Sequence, residues 1–418
     1  MLSKWEWVLR LLLRRLWFRT SLISLLAVAA ALLSLLISPH LPEGLSAKIG
    51  AEAVDRILTI IASSMLAVTT FSLSTMVAAY AVATSNVTPR ATRLLIEDKT
   101  TQNVLATFVG SFLYSLVAII TLSMGAYGER GRVVLFVVTV AVVLLIVVTL
   151  LRWIDYLLQL GRVGETTNVV EEAALGAMRA RKETPFLGGQ CLIDVETGVP
   201  EGAHPVFAGR IGYIQHIDTA AIARRARASR GSVYLVSLPG TFIDPHRPLA
   251  WCSGFDEAGD LDEIMDAFTI ADERAFDQDP RFGLCVLAEV ASRALSPAVN
   301  DPGTAIDVIG RSVRVLSVWA QPAKEDEPPP YPEIWVPEIG ISELFDDVFV
   351  AIARDGAGFV EVQIRLQKAL AALARTGDPR FIEHALRHSA EALLRAEAAM
   401  PFPADIERVR KAAAKVGA

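Results

Sequence analysis

The sequence predicts a membrane α-helical protein with four transmembrane helices joined to a cytosolic α+β domain, in which a small β-rich layer precedes a helical region. Three observations predict it. The mean hydropathy of +0.41 is higher than an ordinary soluble chain of 418 residues carries. Every long apolar stretch falls before residue 152. Beyond that point charged and apolar residues alternate in shorter patterns, punctuated by Gly and Pro.

A hydrocarbon layer about 30 Å thick needs roughly 20 apolar residues at 1.5 Å each. Four runs qualify, at 20–38, 57–83, 104–124 and 133–151, none containing Asp, Glu, Lys or Arg. They assign residues 1–152 to a transmembrane domain. The first run follows Lys4, Arg10, Arg14, Arg15 and Arg19, as in a signal peptide. Its length and the three spans after it favour an uncleaved anchor.

Lys and Arg collect on the cytosolic side of short loops. The N-terminal segment, the loop with Arg90, Arg93 and Lys99, and the segment opening with Arg152 and Arg162 are the basic ones. The opposite loops offset Lys48, Arg56, Arg130 and Arg132 with Glu43, Glu52, Asp55 and Glu129. Both the N-terminus and the C-terminal domain are therefore expected in the cytosol of a bacterial cell, with the chain crossing the inner membrane several times. Trp5, Trp7, Trp17 and Trp153 suit anchoring at the interface.

The second span is rich in hydroxyls. At 100° per residue Thr59, Ser63, Thr70 and Ser74 fall within about 60° of one another, one stripe that would line a water-filled path in a homo-oligomer. The other reading is packing, since Ser and Thr bond back to their own helix and small residues let helices approach closely. No charge inside a span marks a proton relay or voltage sensor.

Residues 153–184 read as a connecting helix that continues out of the membrane. Residues 185–258 read as a small mixed α/β subdomain with strands at CLIDV, GYIQHI, SVYLVSL and PLAWC, and a helix at TAAIARRARAS capped by Asp218 or Thr219. Residues 259–418 read as helical, interrupted by a Pro-rich loop at 321–337. Three helices there begin with Asp as N-cap and Pro at the first position: Asp279 and Pro280, Asp301 and Pro302, Asp378 and Pro379.

The net charge of −6 and pI near 5.7 exclude a general nucleic-acid partner. Cys191, Cys252 and Cys285 are too scattered for a zinc ribbon or disulfide framework and read as reduced core residues. The basic cluster Arg224, Arg225, Arg227 and Arg230 is either a solvated helix face or a contact for anionic headgroups or phosphorylated ligands. His384 and His388 share a helix face, but no third ligand accompanies them, so they read as surface residues and no metal is expected. Nucleophile elbow, phosphate loop and HExxH motifs are all absent from the sequence, so no catalytic residue and no cofactor is expected.

The densest information lies at 271–310, ADERAFDQDPRFGLCVLAEVASRALSPAVNDPGTAIDVIG. Glu273, Arg274, Gln278, Asp279, Phe282 and Gly283, followed by Arg293, Ala294, Leu295, Ser296, Pro297, Asn300, Asp301, Pro302, Thr304 and Ala305, resemble the signature ERTxxQDxxFG…RALSPxxNDPxTA. That signature belongs to a family of prokaryotic predicted membrane proteins containing a domain of unknown function. The resemblance runs over essentially the whole chain, and Ala275 stands where the family carries Thr. It implies a membrane protein and brings no established activity. Read physically, Arg274 and Arg293 either lock two capped helices by pairing with Asp272, Glu273, Asp279 or Asp301, or join Gln278, Ser296, Asn300 and Thr304 around a small anionic ligand. The expected function is an oligomeric channel or transport-like protein with a regulatory cytosolic domain. The alternative is a membrane-anchored sensor or scaffold that binds a small anion or a protein partner.

Overall fold

The computed structural model describes residues 4–13, 15–37, 51–255, 258–321 and 328–417. Ser38, the loop carrying Glu43 and Lys48, and the acidic stretch Glu325 to Glu327 lie outside the described residues. The chain divides into two compact units: Leu9–Ser85 with Thr92–Glu165, and Met1–Val8 with Asn86–Ala91 and Thr166–Ala418.

The first unit is helical. After α1 (Lys4–Leu13) come α2 (Leu16–Ile37), α3 (Ala51–Asn86), α4 (Pro89–Ile96), α5 (Lys99–Ser123) and α6 (Glu129–Gln159). Among the described residues three helices are long and apolar enough to cross a membrane, within Glu52–Ser85, Lys99–Ser123 and Gly131–Gln159. The first expected span is helical too, but the apolar stretch described there, Trp17–Leu33, is shorter. Gly110 on α5 leaves room for α2, because a Cβ there would lie 3.1 Å from Ile23. Buried polar groups are paired across the bundle: Tyr127 donates to the Ala31 carbonyl at 2.8 Å, Tyr114 and Thr139 share a bond of 3.0 Å, and Trp153 donates to Ser72 Oγ at 2.9 Å. Trp153 is thus a core residue rather than an interfacial anchor; its indole N–H needs a partner once buried.

The expected continuous helix over 153–184 is two helices. α6 stops at Gln159, Gly161 takes φ +83° beside the Ala79 backbone, and α7 (Val163–Glu183) starts again. Only a residue without Cβ adopts that backbone freely.

The second unit holds two sheets and a helical layer. The five-stranded sheet runs β1 (Gln190–Leu192), β8 (Ile334–Pro337), β4 (Ser232–Leu235), β6 (Pro248–Ser253), β2 (His204–Phe207). β8 is parallel to both β1 and β4, and the other pairs are antiparallel. The three-stranded sheet is β5 (Phe242–Ile243), β3 (Gly212–Ile217), β7 (Phe268–Ala271). α8 (Val195–Gly198), α9 (Thr219–Ala228) and α10 (Ala258–Asp266) connect them, and Asp218 caps α9 by accepting from Ala221 N. The core includes Ile214, Ile217, Ile222, Val233, Leu235, Leu249, Ile264, Ile334 and Val336.

Two strands correct the sequence reading. β8 lies inside what reads as the Pro-rich loop, and alternate residues of its Ile-Trp-Val-Pro run are buried. β7 lies in the expected helical region and pairs with β3. In both places tertiary pairing overrides the flanking composition. The N-terminal residues supply a third correction. Trp7 is buried and stacks on His216 at 5.1 Å, and the Lys4 backbone N–H donates to Asp218 at 2.5 Å, whereas Trp5 is 82% exposed.

The helical layer comprises α11 (Pro280–Ala294), α12 (Pro302–Ala320), α13 (Ile341–Asp355), α14 (Val360–Ala374), α15 (Pro379–Ala399) and α16 (Pro403–Ala413). Asp279, Asp301 and Asp378 cap α11, α12 and α15 through their carboxylates, as the Asp-Pro pairs predict. Glu171 ties α7 to α12, accepting from Arg311 at 2.7 Å and from Arg314 at 2.8 Å.

Candidate functional site

The signature residues divide between the two ends of α11. This helix of 15 residues is roughly 22 Å long, so the two groups do not share one pocket. At its start Asp279, almost wholly buried, accepts from Arg281 N and Phe282 N and from Arg274 Nε at 2.8 Å. The Arg274 guanidinium also sits 5.0 Å over the Phe282 ring. Gln278 meets the end of β3, accepting from Ile217 N at 2.9 Å. Gly240, at φ +90°, brings its backbone so close that a Cβ would lie 2.1 Å from the Asp279 carboxylate. Gly283 does the same for α7, where a Cβ would lie 2.3 Å from that of Ala174.

At the far end the residues form an exposed turn. Ser296 donates to the Arg293 carbonyl at 2.6 Å, and Asn300 takes φ +51°. Asp301 N donates to Ala294 O at 2.8 Å, while the Asp301 carboxylate accepts from Thr304 N and Oγ1. These hydrogen bonds hold the Asp301 carboxyl below its usual range. Arg293, Asn300 and Asp301 are all open to solvent.

A cavity of about 300 Å³ opens beside the buried end of the signature. It is built from the end of α7, the turn Pro185–Gly188, the ends of α12 and β8, and the start of α15. Arg181 and Lys182 reach it from α7, Phe186 and Trp319 form its aromatic walls, and Asp378, Arg380 and Glu338 stand at its edge. Phe186 and Leu187 are both left-handed, at φ +51° and +53°, a costly conformation for side chains of this size that concentrates at functional turns.

The electrostatics of this cavity are uneven. Arg380 is neutralised by Asp378 at 3.0 Å and Glu338 at 2.8 Å. Arg181 is buried, donates to the Gln278 carbonyl at 3.2 Å, and has Asp279 as its balancing charge. That carboxylate also serves Arg274. A buried and a half-buried guanidinium thus share a single carboxylate. Burial lowers the Arg181 pKa to about 10, against the pull of Asp279, so it stays cationic at neutral pH. Burial lifts the Asp279 carboxyl above its ordinary range despite Arg274 and the two helix N–H groups. Burial, then Arg380, lower Lys182, whose ammonium donates to the carbonyls of Trp319, at 2.8 Å, and Gln321. Sequence reasoning missed Arg181 and Lys182 because nothing in the run RARKE separates a wall residue from a solvated helix end.

The four hydroxyl residues of α3 do lie on one face, and all are exposed on the described surface of the chain. Ser63 bonds to the Thr59 carbonyl at 2.9 Å, Thr70 to Ala67 at 2.9 Å and Ser74 to Thr70 at 3.0 Å. Leu66 and Val77, 51% and 59% exposed, interrupt the stripe. The basic cluster is partly neutralised, with Arg225 paired to Asp260 and Arg227 to Glu333. His388, expected at the surface, is buried between Phe345 and Phe349 and accepts from Arg387 at 3.0 Å; burial and the adjacent Arg387 charge lower its pKa to about 4. Among the described residues no cluster of three or more His, Cys, Asp or Glu is arranged to hold a metal. Burial raises the thiol pKa of Cys252 to about 12 and of Cys285 to about 11, so neither is a ready nucleophile.

Apolar helices long enough to span a bilayer, combined with a mixed α/β unit bearing a positively charged cavity, define a helical membrane protein with a sizeable non-membrane part. The chain belongs to the family of predicted membrane proteins with domain of unknown function DUF2254, whose model matches residues 14–372. It is also similar to uncharacterised proteins of Mycobacterium bovis and Mycobacterium tuberculosis, at 28% identity over 281 residues. That similarity covers 65% of this chain and 53% of each relative, so the chain spans about half the length of the curated relatives it matches. No solved structure matches it.

Proposed function

We propose that this chain is a membrane-anchored sensor, crossing the bacterial inner membrane four times, whose C-terminal unit faces the cytosol and binds a small anion in the Arg181 cavity. The observation that carries this reading is the shared carboxylate. Arg181 is buried and Arg274 is half-buried, with a side chain 21% exposed, and Asp279 alone stands between them. A buried cation without a full counter-charge costs several kcal/mol on the order of a lost buried ion pair, and a bound carboxylate or phosphate offsets that cost. The aromatic walls, Phe186 and Trp319, fit a planar ring on the same ligand.

The test uses the full chain in detergent, titrated with benzoate, phenyl phosphate and neutral benzamide. Phenyl phosphate or benzoate is expected to raise the unfolding temperature and benzamide to leave it unchanged. At a ligand concentration of about 100 Kd the gain corresponds to roughly 2.7 kcal/mol. Arg181→Gln should abolish this response while the variant remains folded. A response that survives in Arg181→Gln, or none with either anion, rejects the reading.

A second reading rests on α3, of whose apolar window only 22% is buried and whose hydroxyl stripe faces outward. In a homo-oligomer that stripe would line a central path and the chain would work as a channel or transport-like protein. Ion flux into liposomes that disappears in a Ser63→Leu, Thr70→Leu double variant supports it; flux unchanged by that variant removes it.

A further inference from the structure

Six cations line one groove between α14 and α16, remote in sequence from the signature. Arg365, Lys368 and Arg375 come from α14 and its C-cap; Arg408, Lys411 and Lys415 come from α16 and the turn after it. All six are exposed. The groove has a volume of about 610 Å³, and its floor is small, with Ala371, Ala372 and Ala412 leaving space between the two rows.

Ordinary surface electrostatics does not account for this arrangement. Like charges one turn apart destabilise a helix, yet Arg365 and Lys368 on α14 and Arg408 and Lys411 on α16 have the i, i+3 spacing. Interaction of cations with the helix C-terminus favours Lys411, in the last turn of α16, but not Arg365 and Lys368 inside α14. Carboxylates do little to compensate. Arg408 reaches Asp405 at 3.3 Å and Lys411 reaches Glu407 only at 3.9 Å, while Arg365, Lys368, Arg375 and Lys415 form no ion pair among the described residues. Arg410, on the other side of α16, is closely paired with Glu397 at 2.7 Å. The unpaired cations are concentrated on the groove side, in a chain whose net charge is −6.

We propose that the α14–α16 groove binds an anion bearing several phosphoryl groups in line. The two rows run for roughly 10 to 15 Å at 1.5 Å per residue, too long for a single carboxylate and suited to successive phosphates contacted from both sides. Lysines and arginines on such a surface supply point charges and forked donors, the chemistry of polyphosphate recognition. The same chemistry is offered by a soluble polyphosphate compound and by clustered anionic lipid headgroups. The site is separate from the Arg181 cavity, and its occupancy does not depend on that reading.

The full chain in a zwitterionic detergent is titrated, at about 150 mM salt, where exposed single charges are well screened, with sodium tripolyphosphate and with phosphatidylglycerol mixed into the detergent micelles so that its headgroups cluster. The same titrations are run on a Lys368→Gln, Lys411→Gln, Lys415→Gln variant and on a control that loses three exposed cations elsewhere, Arg179→Gln, Arg210→Gln and Arg247→Gln. Binding of at least one probe is expected, weakened by about tenfold or more in the groove variant and unchanged in the control. Tripolyphosphate binding alone assigns a soluble ligand; phosphatidylglycerol binding alone assigns a headgroup. Failure of both probes to bind, or equal weakening in the two variants, overturns the proposal. Arg181→Gln should leave this binding intact, which separates it from the cavity described above.

Discussion

The exposed hydroxyl stripe of the helical unit and the charged groups of the C-terminal unit satisfy their polar atoms in opposite ways. Along the stripe of α3 the hydroxyls are answered within one turn: Ser63, Thr70 and Ser74 each bond to a carbonyl three or four residues earlier. In the C-terminal unit the important partners are far apart in sequence, with Gln278 on Ile217, Arg181 on Gln278, Arg281 on Asp347 and Arg311 on Glu171. Local closure leaves a helix free to present its face to any apolar surroundings. Long-range closure fixes one arrangement of elements and penalises every other, because a displaced partner leaves a buried charge unanswered.

This contrast is most exposed to test at Asp279. Asp279→Ala strands Arg274 and Arg181 and removes the α11 cap, so about 3–5 kcal/mol of stability should vanish in unfolding of the full chain followed by tryptophan fluorescence. A loss below about 1 kcal/mol would mean that the buried charges relax, and the contrast fails. Glu171→Gln should cost roughly 2–3 kcal/mol in the same experiment, because Arg311 and Arg314 both lose a charged acceptor.

Next comes pH. His388 has its pKa lowered from 6.5 to about 4, so between those values the unfolded chain binds the extra proton and folding weakens as pH falls. On the order of 2 kcal/mol should be lost from pH 6.5 to 4, fully present above pH 6.5, after allowance for partial solvent screening. His388→Phe should flatten that segment of the pH profile, and an unchanged slope would assign it to other groups. The smallest effect belongs to α3. Ser63→Leu with Thr70→Leu removes bonds that serve only their own helix, so stability in detergent should change by less than about 1 kcal/mol.

The same contrast explains what was legible in the sequence. Features set by local chemistry were readable: the three apolar spans, the Asp-Pro caps, the Asp218 cap of α9 and the strands at GYIQHI and PLAWC each depend on a few consecutive residues. The run at 273–305 was readable as letters, and its N-terminal half holds Arg274 paired with the buried Asp279 carboxylate. What joined Arg181 to it was not readable, because the cavity draws walls from four segments spread between Arg181 and Arg380. β8 was hidden for a related reason. Its four residues are a strand only because β1 and β4 lie on either side, and the prolines around them describe the ends of that strand rather than its absence. Trp7 and Trp153 misled in the same way, since an amphipathic ring suits both an interface and a core position with a stacking or hydrogen-bonding partner.

The position of β8 also bears on biosynthesis. β4 emerges from the ribosome about a hundred residues before the strand that fills its free edge, and β1 waits longer still. Throughout that interval two unpaired strand edges are available to other nascent chains. A ribosome stalled before Ile334 therefore releases a product prone to sticking to its neighbours, whereas one stalled after Pro337 releases a chain able to complete its five-stranded sheet.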